Sequence, residues 1–126
     1  MVTVDAELHI DASPDEVTRV MLDPLKARQW TAGLERIEAV SGEPGEVGAV
    51  GRLHYNEGGR RSVLTERCEH AERGKHYVST VEGDALLARV ETRLEPDDDG
   101  TLVRIRWSGR GKGVVRLLLP LMKRAI

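Results

Sequence analysis

The sequence predicts an α+β domain in which a curved antiparallel sheet of seven strands surrounds a C-terminal helix, with two short helices after the first strand (β-α-α-β6-α). Residues 2–11 alternate between apolar and polar side chains, which is typical of a half-buried strand. Residues 34–108 consist of strand-like segments separated by short turn-forming connections. Residues 114–126 carry a broad apolar stripe at helical spacing, and such a helix requires a large concave partner.

Length and composition indicate one globular domain. The 126 residues are enough for a single core, and the chain is 40% hydrophobic and 32% charged. A formal net charge of -2 argues against binding of nucleic acid through bulk charge. Cys68 is the single cysteine, the N-terminus lacks a signal-peptide pattern, and no apolar run could span a membrane. We therefore expect a cytoplasmic protein without an internal disulfide.

Two helix-start signals follow the first strand. Ser13 is suited to the N-cap, Pro14 to the first helical position and Glu16 to the third, which together form a capping box. The buried face of this helix is predicted at Val17, Val20 and Met21. Asp23-Pro24 repeats the start signal, so a second short helix is expected over residues 24–30.

Six further strands are expected to form a meander. The segments between them are short and rich in Gly, Pro and Asp, so neighbouring strands should pair as antiparallel hairpins. Gly109, Gly111 and Gly113 are expected to end the strand pattern before the final helix. The six predicted strands are residues 34–41, 49–56, 60–70, 75–81, 85–94 and 101–108.

The predicted terminal helix, residues 114–126, has Pro120 on the face away from its apolar stripe. Thirteen helical residues span roughly 20 Å, whereas strands of eight to ten residues span about 27 to 33 Å. Part of the concave face is therefore expected to be open to a ligand or to a second subunit. The stripe consists of Val114, Leu117, Leu118, Leu121, Met122 and Ala125.

Four segments carry a resemblance to a known superfamily. They are residues 10–17 (IDASPDEV), Asp23 with Trp30, residues 45–48 (GEVG) and residues 100–103 (GTLV). Together with the order of elements they resemble the helix-grip fold of the START-like (SRPBCC) superfamily, which includes pollen-allergen-type proteins, polyketide cyclases or dehydrases, and lipid-transfer domains. The resemblance implies one START-like domain over residues 1–126, with a cavity rather than a shared catalytic motif.

Candidate ligand-binding residues follow from this cavity. Trp30 and Trp107 could stack on a planar ligand, or both could simply belong to the core. The strand phase leaves two possibilities for residues 66 and 67, because either Glu66 or Arg67 faces inward. An inward Glu66 would be desolvated and able to exchange protons. The predicted binding residues are Trp30, Tyr55, Glu66, Tyr77, Val90, Trp107, Leu118 and Met122.

No cofactor or metal is expected. The acidic run at residues 95–100 lacks the final glutamate of a calcium loop, so it is predicted to be a hairpin turn. The four histidines lack zinc-site spacing. Residues 109–113 (GRGKG) lack the spacing of a phosphate-binding loop. A flexible turn is expected there, although Arg110 and Lys112 leave open the binding of an anionic head group at the helix N-terminus.

Three functions remain open from the sequence. The first is a carrier or sensor that encloses a small hydrophobic or amphipathic ligand between sheet and terminal helix. The second is a polyketide cyclase- or dehydrase-type enzyme in which Tyr55, Tyr77, His54 or Glu66 transfers a proton. The third is a docking module that forms a homodimer over the uncovered sheet. None of the three requires nucleic acid or a membrane span.

Overall fold

A computed structural model describes residues 2–26, 33–84 and 86–111, which contain one helix and seven strands. The strands form one antiparallel sheet, in which consecutive strands from the second to the seventh are neighbours and the first lies beside the seventh. This confirms the predicted seven-stranded antiparallel sheet and its meander. The elements are β1 (Val2–Ile10), α1 (Pro14–Leu22), β2 (Leu34–Ser41), β3 (Val50–Glu57), β4 (Arg60–Glu72), β5 (His76–Gly83), β6 (Leu86–Asp97) and β7 (Gly100–Gly111).

The sheet has an inner, apolar face and an outer, charged face. On β1, the predicted alternation places Val4 and Leu8 inward, where they lie opposite Trp107 and Val103 of β7. Asp5 and Glu7, which alternate with them, point outward and form ion pairs with Arg106 and Arg104. The period of two therefore sorts the side chains of each strand between core and solvent.

The helix α1 begins where the sequence predicts. The hydroxyl of Ser13 accepts a hydrogen bond from the amide of Glu16 at 3.2 Å, as an N-cap residue does. Val17 is buried and packs against Leu94 and Val103, which places the helix over the inner face of β6 and β7.

The prediction that Val20 belongs to the buried face of α1 is wrong. Val20 is 38% exposed, whereas Thr18 is completely buried. Burial of Thr18 is possible because its hydroxyl donates a hydrogen bond to the carbonyl of Pro14 at 2.7 Å. The buried face therefore keeps Val17 and Met21 as predicted and extends toward Thr18 and Leu22 instead of Val20.

The two other predicted helices fall on residues that are only partly described or not described. Residues 24–26 form a turn in which the amide of Lys26 donates to the carbonyl of Asp23 at 3.0 Å. The remainder of the second helix predicted over residues 24–30 lies outside the described residues. The predicted terminal helix, residues 114–126, lies outside them entirely.

The last hairpin is tighter than predicted, and its second strand is longer. Asp97 pairs with Gly100, and Asp98 between them has a φ of 48°, so the acidic run is a hairpin turn. Contrary to the expected break at Gly109, β7 continues to Gly111. A Cβ at Gly109 would lie 3.0 Å from the Cβ of Ala88, so the glycine permits a close approach of β6 and β7 instead of ending the strand.

Irregular pairing changes which residues face inward on two strands. The register of β2 against β3 shifts between Leu34 and Arg36, so that Leu34 and Ile37 both face the core. On β4, a register shift lies between Cys68 and His70. It allows Cys68 and Ala71 to share the inner face although they are three residues apart.

The loop between β2 and β3 is expected to depend on Gly45 for its contact with α1. Gly45 has a φ of 87°, and a Cβ there would lie 2.5 Å from Cδ1 of Leu22. Gly48 has a similar φ of 89° but nothing within 4 Å of its Cβ position. Gly48→Ala should therefore cost about 1 to 2 kcal/mol from the left-handed backbone alone, and Gly45→Ala about 1 kcal/mol more because Leu22 must leave its rotamer. Urea unfolding of both variants measures the difference, and equal losses would contradict the loop contact.

Candidate functional site

A cavity of about 230 Å³ lies on the inner face of the sheet. The end of α1, the loop after β2 and all strands from β2 to β7 contribute to its wall. Most of the described wall is aliphatic, including Leu34, Ile37, Leu53, Val81, Val90 and Ile105. The polar side chains of the described wall are Ser41, Tyr55, Glu66, Cys68, Tyr77, Ser79 and Thr92.

The pairing register of β4 to β7 places four side chains, one from each strand, in a row across the cavity wall. Ser79 on β5 lies opposite Cys68 on β4 and opposite Val90 on β6. Val90 in turn lies opposite Trp107 on β7, which is only 1% exposed. Because these four residues line the cavity, the two predicted site residues Val90 and Trp107 occupy one continuous surface.

The two predicted tyrosines both line the cavity, in different surroundings. Burial raises the pKa of the Tyr55 hydroxyl well above its ordinary value, and the carboxylates of Glu66 and Glu57 raise it further. The hydroxyl of Tyr77 accepts a hydrogen bond from the amide of Gly74 at 3.0 Å. The backbone bond holds the Tyr77 ring in place, and its own proton remains available to another acceptor.

The phase of β4, left open by the sequence, places Glu66 inside and Arg67 outside. Leu64 and Cys68 are buried, and Glu66 between them lines the cavity, whereas Arg67 is exposed. On β3, the residue opposite Glu66 is Gly51, which also lines the cavity. Because Gly51 has no side chain, space remains beside the carboxyl group.

The electrostatics of Glu66 differ from those of the acids on the outer face. Burial raises the pKa of the Glu66 carboxyl, and no charged or hydrogen-bonding group among the described residues opposes the shift. On the outer face, hydrogen bonds with Arg106, His54 and His76 lower the pKa values of three carboxyls. These carboxyls belong to Asp5, Glu38 and Glu91.

His54, a candidate for proton transfer, lies on the outer face. Its Nε2 is 3.0 Å from Oε1 of Glu38, and the charged side chains of Arg36 and Arg52 also approach that carboxylate. Leu53 and Tyr55 on either side of it are the residues that face the cavity. The proposed use of His54 within the cavity is therefore wrong.

Three predicted binding residues, Trp30, Leu118 and Met122, lie outside the described residues. Arg110 belongs to β7, where it is exposed and pairs with Leu87, so it lies in a strand and not in the flexible turn predicted over residues 109–113. The anion site stays a prediction, because Lys112 and the predicted helix N-terminus lie outside the described residues. The homodimer, which depends on the terminal helix, stays a prediction.

Several cavity residues were missed by the sequence reasoning. Ser79 and Thr92 could have been found, because each lies two residues from a predicted inward side chain on its own strand. Cys68 also lines the cavity; it is buried, and burial raises the pKa of the thiol. Ile37 and Ala39 face the cavity because of the irregular pairing of β2, for which the sequence gives no signal.

Two other kinds of site are absent from residues 2–26, 33–84 and 86–111. In these ranges, no cluster of three or more His, Cys, Asp or Glu side chains could hold a metal ion. In the same ranges, no helix has the length and apolar character needed to cross a membrane.

The sheet, its covering helix α1 and the apolar cavity define a protein of the START-like (SRPBCC) class, as the sequence resemblance implied. The chain belongs to the family described as polyketide cyclase / dehydrase and lipid transport, whose profile matches residues 1–126. A comparison with curated proteins gave no match.

Three solved structures with a similar fold illustrate the class. Protein CV1439 from Chromobacterium violaceum has a TM-score of 0.81 at 18% identity, over 97% of this chain and 90% of its own. A START superfamily protein from Mycobacterium smegmatis has a TM-score of 0.78 at 16% identity, over 97% and 92%. The major latex-like protein 151 of Panax ginseng has a TM-score of 0.76 at 15% identity, over 98% and 93%. These identities show a common fold and no more.

We expect Glu66→Gln to change how stability depends on pH. Because burial raises the pKa of Glu66 in the folded state, the folded protein retains this proton where the unfolded chain has lost it. Above the ordinary glutamate pKa of about 4.3, the wild type should lose stability with rising pH, by at most about 1.4 kcal/mol per pH unit, until the folded pKa is passed. Glu66→Gln should lack this loss.

Urea unfolding of both proteins between pH 4 and pH 9 measures the effect as the difference between their unfolding free energies. Taking the difference removes the contributions of other titrating groups. A difference that stays constant with pH would show that the Glu66 carboxyl has an ordinary pKa.

Proposed function

We propose that the protein binds a small hydrophobic or amphipathic ligand in the cavity between its sheet and the C-terminal helix predicted from the sequence, as a carrier or sensor. The observation that carries the proposal is the 230 Å³ cavity with a mostly aliphatic described wall and a few polar groups. Such a wall buries an apolar body, while isolated polar groups fix its orientation.

The energy of the cavity supports an occupant. An apolar cavity of this volume, if left empty, would cost on the order of 5 kcal/mol at roughly 24 cal/mol per Å³. A whole domain is stable by only ~5 to 15 kcal/mol. A bound ligand would offset that cost by restoring the missing contacts, and a ligand that binds only the folded state adds stability by mass action.

The family also supports a ligand of lipid or polyketide type, since its description names lipid transport and polyketide cyclases or dehydrases. The described aromatic groups Trp107 and Tyr55 would suit a flat or ring-containing apolar body. The proposal extends to this chain the kind of ligand that the family description names.

The fluorescent probe N-phenyl-1-naphthylamine, which is uncharged at neutral pH, tests the proposal. We expect it to bind the wild type with increased emission, and Ser79→Leu to weaken binding at least about 10-fold. Ser79 lies in the middle of the cavity row, and the larger leucine would occupy the space of the ligand.

Glu82→Leu is the matched control, since Glu82 is on the same strand but exposed. It should bind the probe as the wild type does. Native mass spectrometry of the purified protein adds a second measurement, because it detects a retained ligand directly. Equal binding by Ser79→Leu and wild type, or no binding by either, would contradict the proposed site.

A second candidate, a cyclase- or dehydrase-type enzyme, is favoured by one observation. The Glu66 carboxyl lines the cavity with a pKa raised by burial, which suits an acid or base that exchanges protons with a bound ligand. Tyr55 and Tyr77 would be its hydroxyl partners.

In deuterated buffer, the wild type should accelerate deuterium uptake beside the carbonyl of 1-tetralone, and Glu66→Gln should not. No acceleration by the wild type would count against the enzyme.

A further inference from the structure

The titratable side chains in the described wall of the cavity are all acids, with no base among them. They are Tyr55 on β3, Glu66 and Cys68 on β4, and Tyr77 on β5. The described wall residues of α1, β2, β6 and β7 do not titrate, and no described wall residue is Lys, Arg or His. Every titratable group of the described wall is therefore either neutral or an anion, and only a glutamate ionises at low enough pH to be charged under ordinary conditions.

Glu66 is placed so that its carboxyl, when ionised, would face a bound ligand. Glu66 lies between Gly51 on β3 and Val81 on β5. Gly51 leaves space beside the carboxyl, and Val81 offers it no hydrogen bond. A carboxyl group in such surroundings lacks the partners that buried acids normally have.

We propose that the cavity selects an amphiphile with a protonated amine, whose ammonium group pairs with the Glu66 carboxylate while its apolar body lies along Val90 and Trp107. This inference rests on the proposed ligand-binding function and specifies the chemical class of the ligand. It also predicts discrimination against fatty acids and other apolar carboxylates.

Charge balance explains the selectivity. In the empty cavity, desolvation favours the neutral acid, so binding of an ammonium ion at neutral pH is accompanied by release of any proton that Glu66 holds. The ion pair then satisfies both charges. A carboxylate ligand would instead bring a second negative charge toward Glu66, with no described cation in the wall to balance it.

Competition against N-phenyl-1-naphthylamine with octylamine, 1-octanol and octanoate tests the inference, because the three competitors share one apolar chain. At pH 8, octylamine should bind the wild type at least about 10-fold more tightly than 1-octanol, because a charge-assisted hydrogen bond increases affinity by at least about that factor. Octanoate should bind most weakly. Glu66→Gln should remove the advantage of octylamine, and Glu82→Gln, which removes an exposed carboxylate from β5, should keep it.

The possible results separate this inference from the proposed function. Equal binding of the three competitors, tighter binding of octanoate, or an amine preference that survives Glu66→Gln would overturn the amine inference and leave ligand binding intact. Failure of the probe and all three competitors to bind would overturn both.

A stability measurement tests whether a cation of the chain itself already pairs with Glu66. If no cation of the chain pairs with the Glu66 carboxyl, ligand-free Glu66→Gln should unfold at or above the wild-type temperature at pH 8, because the variant lacks a desolvated acid. A fall of about 5 °C or more would indicate a lost internal ion pair. That result would overturn the inference.

Discussion

The pairing of β1 with β7 is the contact on which the rest of the structure depends. It joins residues about a hundred positions apart and places α1, which follows β1 directly, over the inner faces of β6 and β7. The ion pairs on its outer side, Asp5 with Arg106 at 2.8 Å and Glu7 with Arg104 at 3.0 Å, are exposed and therefore contribute little. Its strength comes from the main-chain ladder and from inner contacts such as Val4 against Trp107. Without this pairing, Trp107 would lose one side of its packing and the cavity part of its wall.

The period of two has opposite consequences for acids on the two faces of the sheet. Glu38 and Glu91 point outward, where histidine and arginine neighbours stabilise their ionised forms. Glu66 points inward, where desolvation destabilises the ionised form. A shift of one residue along β4 would exchange Glu66 for Arg67 and reverse the charge offered to a ligand. The register of one strand therefore sets the chemical preference of the whole cavity.

The sequence predicts the strands and the start of α1 well, because both follow from local chemistry. Alternation places Trp107 inward, and the Ser13 cap fixes the first helical turn. The sequence does not determine the facing of Glu66, since the strand begins with exposed Arg60 and Arg61, and its adjacent aliphatic residues Val63 and Leu64 favour opposite phases. It also gives no signal for the irregular pairing of β2, which depends on contacts with another strand. Gly109 was misjudged because a glycine can permit a close strand contact as well as end a strand.

Two destabilising features coincide at one place in the fold. Small residues, Gly51 and Ser79 among them, keep the cavity open where larger side chains would bury more apolar area. Beside Gly51 lies Glu66, whose desolvated carboxyl adds a second unfavourable contribution. Sequences selected for stability alone would remove both, by filling the space and by replacing the acid with an apolar residue. Local departures from good packing and polar satisfaction are expected where a protein binds or transforms something. Their coincidence is therefore a stronger argument for a ligand site than the cavity volume or the acid alone.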